Sequence, residues 1–82
     1  MLPLLKMEIS EETFITNLGT RIRQLRESKN LSQQELANDC SVPKVQIGRI
    51  ERAEINTTIK TLIKIANALQ IEPKELLDFQ IK

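Results

Sequence analysis

The chain has 82 residues, of which 40% are hydrophobic and 28% are charged, so it can form one small domain with an apolar core. It has no histidine and one cysteine, which excludes a metal site built from His and Cys, a histidine-based triad and an internal disulfide. The formal net charge is +1, but residues 41–64 contain five basic and two acidic side chains. We therefore expect a cytoplasmic protein without a membrane segment, a cofactor or an enzymatic activity. The local excess of positive charge makes residues 41–64 the first candidate for a functional surface.

The first predicted helix follows Ser10, a residue suited to capping its N-terminus. Apolar residues then recur at helical spacing up to about Ser28: Phe14, Leu18, Ile22 and Leu25. Residues 1–10 are assigned to an N-terminal arm, either an extra dimer contact or a cover on the first helix. Residues 11–82 are expected to form a single domain.

Two short helices are predicted next. The run Ser32-Gln33-Gln34-Glu35 is a capping box that begins the second helix. Pro43 suits the first position of a third helix, which carries Ile47 and Ile50 inward and ends near Arg52. Two short helices joined by a few residues cross steeply, so residues 32–52 are predicted to form a helix-turn-helix.

The C-terminal third predicts two further helices. Thr57 or Thr58 caps a fourth helix whose expected inward residues are Ile59, Leu62, Ile63, Ala66 and Leu69. Pro73 opens a short fifth helix that carries Leu76, Leu77 and Phe79. The fold predicted from the sequence is therefore all-α, a compact domain of five helices.

The third helix has the most informative surface. Four residues are expected to form a stripe opposite the two isoleucines: Val45, Gly48, Arg49 and Arg52. Arginine can donate two hydrogen bonds to guanine and valine can contact a thymine methyl, so the stripe suits a major groove. A solvated helix face with two surface arginines is the alternative, and the residues alone leave both open.

A set of short motifs extends over residues 14–79. They are Leu18-Gly19-x-Arg21-Ile22-Arg23-x-Leu25-Arg26, Leu31-Ser32-Gln33-x-Glu35-Leu36-Ala37, Val42, Ile47, Arg49-Ile50-Glu51-Arg52, Leu62-x-Lys64-Ile65-Ala66-x-Ala68-Leu69 and Leu76-Leu77. In this order the sequence resembles the phage-repressor-like helix-turn-helix regulators of the Xre or Cro type. The resemblance implies a lambda-repressor-like domain that binds double-stranded DNA.

The resemblance also implies residue roles. The base-reading positions are Lys44, Val45 and Arg49. The backbone or flanking contacts are Gln33, Pro43, Arg52, Thr57, Thr58 and Lys60. Arg26 and Glu51 match a structural ion pair between the first and third helices. For Gln33 the alternative is an ordinary polar residue at a helix start, and for the two threonines it is helix capping alone.

Four residues need separate comment. Ser41 and Ala53 stand where the family often has glycine, and Pro43 replaces the usual Ser or Thr cap of the third helix. Mild backbone strain or an adjusted turn is expected at Ser41, and a shift in the start of the third helix is expected at Pro43. Cys40 is predicted to be a small buried apolar residue.

Assembly is predicted from the C-terminal apolar residues. The candidate dimer contacts are Leu76, Leu77, Phe79 and Ile81, although Leu77 and Phe79 could simply close the core of the monomer. The main hypothesis is a nucleoid-associated homodimeric regulator or repressor of transcription on a near-palindromic operator, with no small-molecule effector. The sequence suits a restriction–modification controller or a small phage repressor. The second hypothesis is an antitoxin-like module that binds a partner protein.

Overall fold

The computed structural model describes residues 8–80, which form four α-helices and one short 3-10 helix. The elements are α1 (Glu11–Ser28), α2 (Gln33–Cys40), α3 (Lys44–Glu51), α4 (Ile59–Leu69) and the 3-10 helix (Pro73–Leu77). The predicted all-α class is confirmed. Most of the predicted N-terminal arm and Ile81 lie outside the described residues. Among the described helices, none combines the length and the apolar character that crossing a membrane requires.

The prediction of a fifth α-helix is wrong, because this segment is a short 3-10 helix. Over Pro73–Leu77 the backbone bonds run from Glu75 N–H to Glu72 O and from Asp78 N–H to Glu75 O, a spacing of three residues. Five residues are too few to build successive α-helical bonds, so the segment closes as a 3-10 turn.

Three of the four α-helices begin with a side-chain cap. Ser10, Ser32 and Thr58 each accept a hydrogen bond from the N–H three residues later. The capping box of α2 is complete, because Glu35 accepts from the Ser32 N–H at 2.8 Å. Pro43 is the N-cap of α3 rather than its first residue, and it has no side-chain group to offer.

All four α-helices end at a residue in the left-handed conformation that is not glycine. These residues are Asn30, Ser41, Ala53 and Gln70, with φ between 58° and 60°. In each case the next residue donates its N–H to a carbonyl five positions back, which satisfies a free group at the helix end. The strain expected at Ser41 is therefore present in the backbone, and Ala53 has the same left-handed conformation.

The core is aliphatic and draws on every helix. Its buried members are Leu18, Ile22, Leu36, Ala37, Cys40, Val42, Ile47, Ile50, Ile65, Ala66, Leu69 and Leu76. Cys40 is buried as predicted, and burial raises the pKa of its thiol. α2 packs against both α3 and α4, so the helix-turn-helix is part of the same core.

The predicted inward face of α4 is partly wrong. Ile59 is 72% exposed and Ile63 is 45% exposed, whereas Ile65 is fully buried. α4 is apolar around much of its circumference, so periodicity alone does not choose the buried side. Packing against α2 and the 3-10 helix makes that choice.

Of the predicted dimer residues, Leu76 needs correction, whereas Phe79 packs partly against the core, the alternative that the sequence left open. Leu76 is fully buried in the monomer and so has no surface to offer a partner. Phe79 is half-buried and packs edge-on against Phe14, with ring centroids 5.2 Å apart. Arg21 Nε donates to Glu75 O at 2.9 Å, which also holds this segment on α1. Leu77 remains 47% exposed.

Candidate nucleic-acid interface

α3 is held on the domain by its buried face and by close contact with α1. Ile47 and Ile50 lie in the core. Gly19 of α1 faces the C-terminal end of α3, where an added Cβ would lie 2.5 Å from Ile50 O and 2.7 Å from Glu51 O. Only glycine permits this approach, so α3 is fixed on α1 at backbone distance.

The opposite face of α3 is open to solvent. Lys44, Val45 and Arg49 are all exposed there, and Val45 is 71% exposed. The structure therefore brings the three predicted base-reading residues to one surface. Pro43, just before them, is exposed as well.

The prediction that Gly48 belongs to the exposed stripe of α3 is wrong, because Gly48 is buried. The side chain of Arg52 lies across it: a Cβ on Gly48 would be 3.0 Å from Arg52 Nη1 and 3.5 Å from Gln33 Oε1. Gly48 thus lies beneath Gln33 and Arg52 instead of forming part of the surface.

Because Pro43 is the N-cap, the first turn of α3 keeps free backbone donors. Pro43 O accepts from the N–H groups of Gln46 and Ile47 at 3.0 and 3.2 Å. Within the described part of the chain, the N–H groups of Lys44 and Val45 have no hydrogen bond. They lie at the positive end of the helix dipole, beside the exposed lysine.

Glu51, at the end of α3, is a buried anion held by three donors. Arg26 Nε and Nη2 donate to its two oxygens at 2.6 and 3.0 Å, and Gln33 Nε2 donates to Oε1 at 3.0 Å. The hydrogen bond to Glu51 is the main cause of the raised pKa of Arg26. Arg26 also donates to Leu31 O at 2.7 Å. The cluster joins α1, the α1–α2 turn, α2 and α3 at one point, and Gln33 is part of this brace.

Glu54 lies against both arginines, a contact that no sequence motif indicated. Arg52 donates to its carboxylate from Nε at 2.9 Å and from Nη2 at 3.3 Å, and Arg49 Nε lies 3.9 Å from Oε1. The hydrogen bond from Arg52 is the main cause of the lowered pKa of Glu54. The spacing of two residues is not a helical one. Ala53 lies between Arg52 and Glu54 in a left-handed conformation, which turns the chain so that the two side chains meet. An alanine at a position where the family often has glycine is the sequence feature that could have indicated this turn.

The predicted contacts at the start of α4 divide into two groups. Thr58 caps the helix and is exposed, as is Lys60, and the N–H groups of Ile59 and Lys60 have no bond within the described residues. The hydroxyl of Thr57 is buried and unpartnered. The predicted contact between Thr57 and a DNA phosphate is therefore wrong, since this hydroxyl does not reach the surface.

Comparison with known proteins agrees with this geometry. The sequence model of a family described as helix-turn-helix matches residues 22–76, more than half of the chain. The chain belongs to the helix-turn-helix family. The resemblance to Xre-type regulators is thereby confirmed, and the matched segment includes α2, α3 and the Arg26–Gln33–Glu51 cluster, but not Gly19.

This helix-turn-helix protein is similar to control proteins and to solved regulators. It is 44% identical over 62 residues to control protein C.BamHI of Bacillus amyloliquefaciens, covering 74% of this chain and 76% of that protein. The crystal structure of the restriction-modification controller protein C.AhdI from Aeromonas hydrophila matches with a TM-score of 0.75 and 39% identity, over 76% of this chain and 94% of that one. The biofilm master regulator SinR, solved in complex with DNA, matches with a TM-score of 0.71 and 37% identity, over 74% and 98% of the two chains.

Proposed function

We propose that this helix-turn-helix protein is a sequence-specific regulator of transcription that binds operator DNA as a homodimer. The observation that carries the proposal is the exposed face of α3. It presents Lys44, Val45 and Arg49 to solvent, while the opposite face is fixed in the core. Similarity to control proteins and to a regulator solved with DNA supports the same function.

In the proposed complex α3 lies in the major groove. Arg49 donates two hydrogen bonds to the O6 and N7 of a guanine, and Val45 contacts the methyl group of a thymine. Lys44 reads a neighbouring base, and the free N–H groups at the start of α3 donate hydrogen bonds to a phosphate of the DNA backbone. The brace around Glu51 supports this mode because it fixes the direction of the helix relative to the rest of the domain.

Flanking residues are proposed to position the domain on the DNA backbone. These are Gln33, Pro43, Arg52, Thr58 and Lys60, which all have accessible surface around the ends of α3 and at the start of α4. Contacts of this kind fix the register of a protein on DNA and carry little sequence information. For Gln33 the proposal adds a phosphate contact to its bracing role.

A homodimer is proposed because one domain of this size reads few base pairs. Two copies about a two-fold axis read half-sites roughly 34 Å apart on a near-palindromic operator. The apolar side chains available for such a contact are Ile59 and Ile63, one turn apart on α4, and Leu77. Leu76 and Phe79 serve the monomer core, so the proposed interface moves to this exposed set.

The controller class is favoured over the other proposals. C.BamHI and C.AhdI are named as control or restriction-modification controller proteins, and both match three quarters of this chain. We propose the same type of role in the nucleoid, with control exerted through protein concentration and dimerisation. The exposed isoleucines of α4 would also suit the antitoxin-like alternative, in which the main partner is another protein.

Selection of bound duplexes from a random pool tests the proposal, with Arg49→Ala and Lys74→Ala compared with the unmodified protein. We expect a near-palindromic site. Arg49→Ala should lose about 1–3 kcal/mol of discrimination at one base pair per half-site. Lys74→Ala removes an exposed charge on the 3-10 helix and should keep the selected site. Equal binding of all duplexes by the unmodified protein would contradict the proposal and favour the protein-binding alternative.

A further inference from the structure

Glu54 lies three residues beyond the last residue of α3 and is close to Arg49 within α3 and to Arg52 at its C-cap. Its N–H donates to Arg49 O at 2.8 Å, in the turn set by the left-handed Ala53, so its backbone position is fixed. Its carboxylate accepts two hydrogen bonds from Arg52, and Oε1 is 3.9 Å from Arg49 Nε. All three side chains are about half exposed, so the group stands at the surface that faces DNA in the proposed complex.

A carboxylate is electrostatically unfavourable at this place for two reasons. The C-terminal end of a helix carries partial negative charge and is stabilised by cations. DNA phosphates would approach the same surface, and a fixed anion there opposes their contact with nearby arginines. The favourable partners of the Glu54 carboxylate within the described residues are the two guanidinium groups.

We propose that Glu54 is a positioning residue for DNA specificity, which restrains Arg52 and Arg49 from binding phosphates without regard to sequence. The inference rests on the proposed function. The two hydrogen bonds to Glu54 hold the Arg52 side chain beside Gly48, where Arg52 Nη1 would lie 3.0 Å from a Cβ on that glycine. Arg49, at the longer distance, is restrained less and can turn toward a base.

The restraint separates operator from other DNA. A guanine in the correct position offers Arg49 two acceptors, which replace the weaker contact with Glu54. On other sequences the arginines have only phosphates to bind, and the Glu54 carboxylate both competes for them and repels the backbone. Glu54 therefore weakens binding to non-operator DNA more than binding to the operator.

The test compares Glu54→Gln with Asp78→Asn, each of which removes one exposed negative charge. Asp78 follows the 3-10 helix and serves as the matched control. Fluorescence anisotropy with a selected operator duplex and a scrambled duplex measures affinity over a range of salt concentrations. Glu54→Gln should strengthen scrambled-duplex binding roughly tenfold and operator binding less than about threefold. Its log–log salt slope on the scrambled duplex should steepen by about 0.9, for one added phosphate contact.

The route through Arg52 is tested by repeating Glu54→Gln in an Arg52→Gln background. If Glu54 acts by holding Arg52, most of the gain on the scrambled duplex disappears in that background. Thermal unfolding of each variant by circular dichroism checks that the folded domain is compared throughout. Glu54→Asp shortens the side chain by one methylene and is expected to restore part of the specificity.

The outcomes separate this inference from the proposed function. If the unmodified protein selects an operator but Glu54→Gln changes both duplexes equally, as Asp78→Asn does, Glu54 has no part in specificity. If the gain on the scrambled duplex is undiminished in the Arg52→Gln background, Glu54 does not act by holding Arg52, and that part of the inference is wrong. If the unmodified protein selects no sequence, the proposed function fails and this inference fails with it.

Discussion

At the residue scale, Glu51 has the most consequential surroundings in the molecule. Three donors from α1 and α2 satisfy its carboxylate in a place that excludes most solvent. A buried ion pair adds little net stability over an apolar substitute, but loss of one partner leaves a buried charge. The pair is thus best understood as a device that fixes α3 in one orientation.

Arg26→Ala is expected to destabilise the domain by roughly 3–5 kcal/mol, because Glu51 would lose two hydrogen bonds and its countercharge. Chemical denaturation monitored by circular dichroism measures the change. Arg23→Ala, an exposed arginine of α1, is the control and should have little effect. A variant lacking Arg26 that kept full stability but lost DNA binding would show that the arginine acts on DNA instead.

We expect opposite effects on stability when each of the two glycines is replaced by alanine. Gly19→Ala places a Cβ within 2.7 Å of two backbone carbonyl oxygens of α3, so the helices must separate, at a cost of about 1–3 kcal/mol. Gly48→Ala meets the end of the flexible Arg52 side chain, which can move. It should leave stability unchanged or raise it by up to about 1 kcal/mol, from helix propensity. Thermal melts of both variants test the pair, and equal losses would contradict this account.

At the element scale, the four α-helices end without the glycine that commonly occupies the left-handed position after a helix. Every α-helix ends at a non-glycine residue in the left-handed region, and each stop completes its hydrogen bonds. A residue with a Cβ is strained in that conformation. Folding is therefore maintained by the hydrogen bonds and apolar contacts around the stops, despite this local cost.

Ala53→Gly is expected to stabilise the domain by about 0.5–1 kcal/mol, because relief of strain outweighs the added freedom of the unfolded chain. Ala68→Gly, within α4, is the control and should destabilise by about 1 kcal/mol. Unfolding in urea measures both. Loss of stability in Ala53→Gly would mean that the methyl group makes contacts worth more than the strain it causes.

The capping box of α2 gives a pH prediction. The backbone hydrogen bond from Ser32 holds the pKa of Glu35 below its ordinary value. Because the folded pKa is depressed, the stabilisation is fully present above the ordinary glutamate pKa of about 4.3 and is lost as pH falls through the lower folded value. NMR titration of the Glu35 carboxylate checks this directly. Glu35→Gln should make the stability of the domain less sensitive to acid, and an unchanged acid response would exclude the contribution.

At the scale of the whole molecule, several exposed apolar residues lie outside the domain core. Ile59 and Ile63 lie one helical turn apart on α4, and a further exposed residue, Leu77, follows in the 3-10 helix. Such a surface in a small domain is typical of protein contacts.

Ile63→Glu is expected to convert the proposed homodimer to a monomer and to weaken operator binding, since each half-site would be bound independently. The fold should survive because Ile63 is 45% exposed in the monomer. Analytical ultracentrifugation measures the association, with Thr16→Glu on the exposed side of α1 as the control. A dimer that persists in Ile63→Glu would place the interface elsewhere.

The sequence alone determined the four α-helices and the way in which α1, α2 and α4 begin. Ser10, the Ser32–Glu35 box and Thr58 cap helices by local hydrogen bonds, and local bonds can be predicted from residue order. The exposed face of the third helix also followed from its period, apart from Gly48. These features depend on contacts within about four residues, so tertiary packing did not alter them.

Only the tertiary structure decided which apolar residues are buried and which charges meet. α4 offered more apolar residues than one face can bury, and its neighbours selected Ile65 over Ile59. The Arg52 side chain covers Gly48, and the Glu54 carboxylate lies close to both Arg49 and Arg52. The spacing of these residues in the sequence predicts neither contact. The physical reason is that burial and ion pairing are properties of elements packed against one another, whereas capping and periodicity are properties of a single segment.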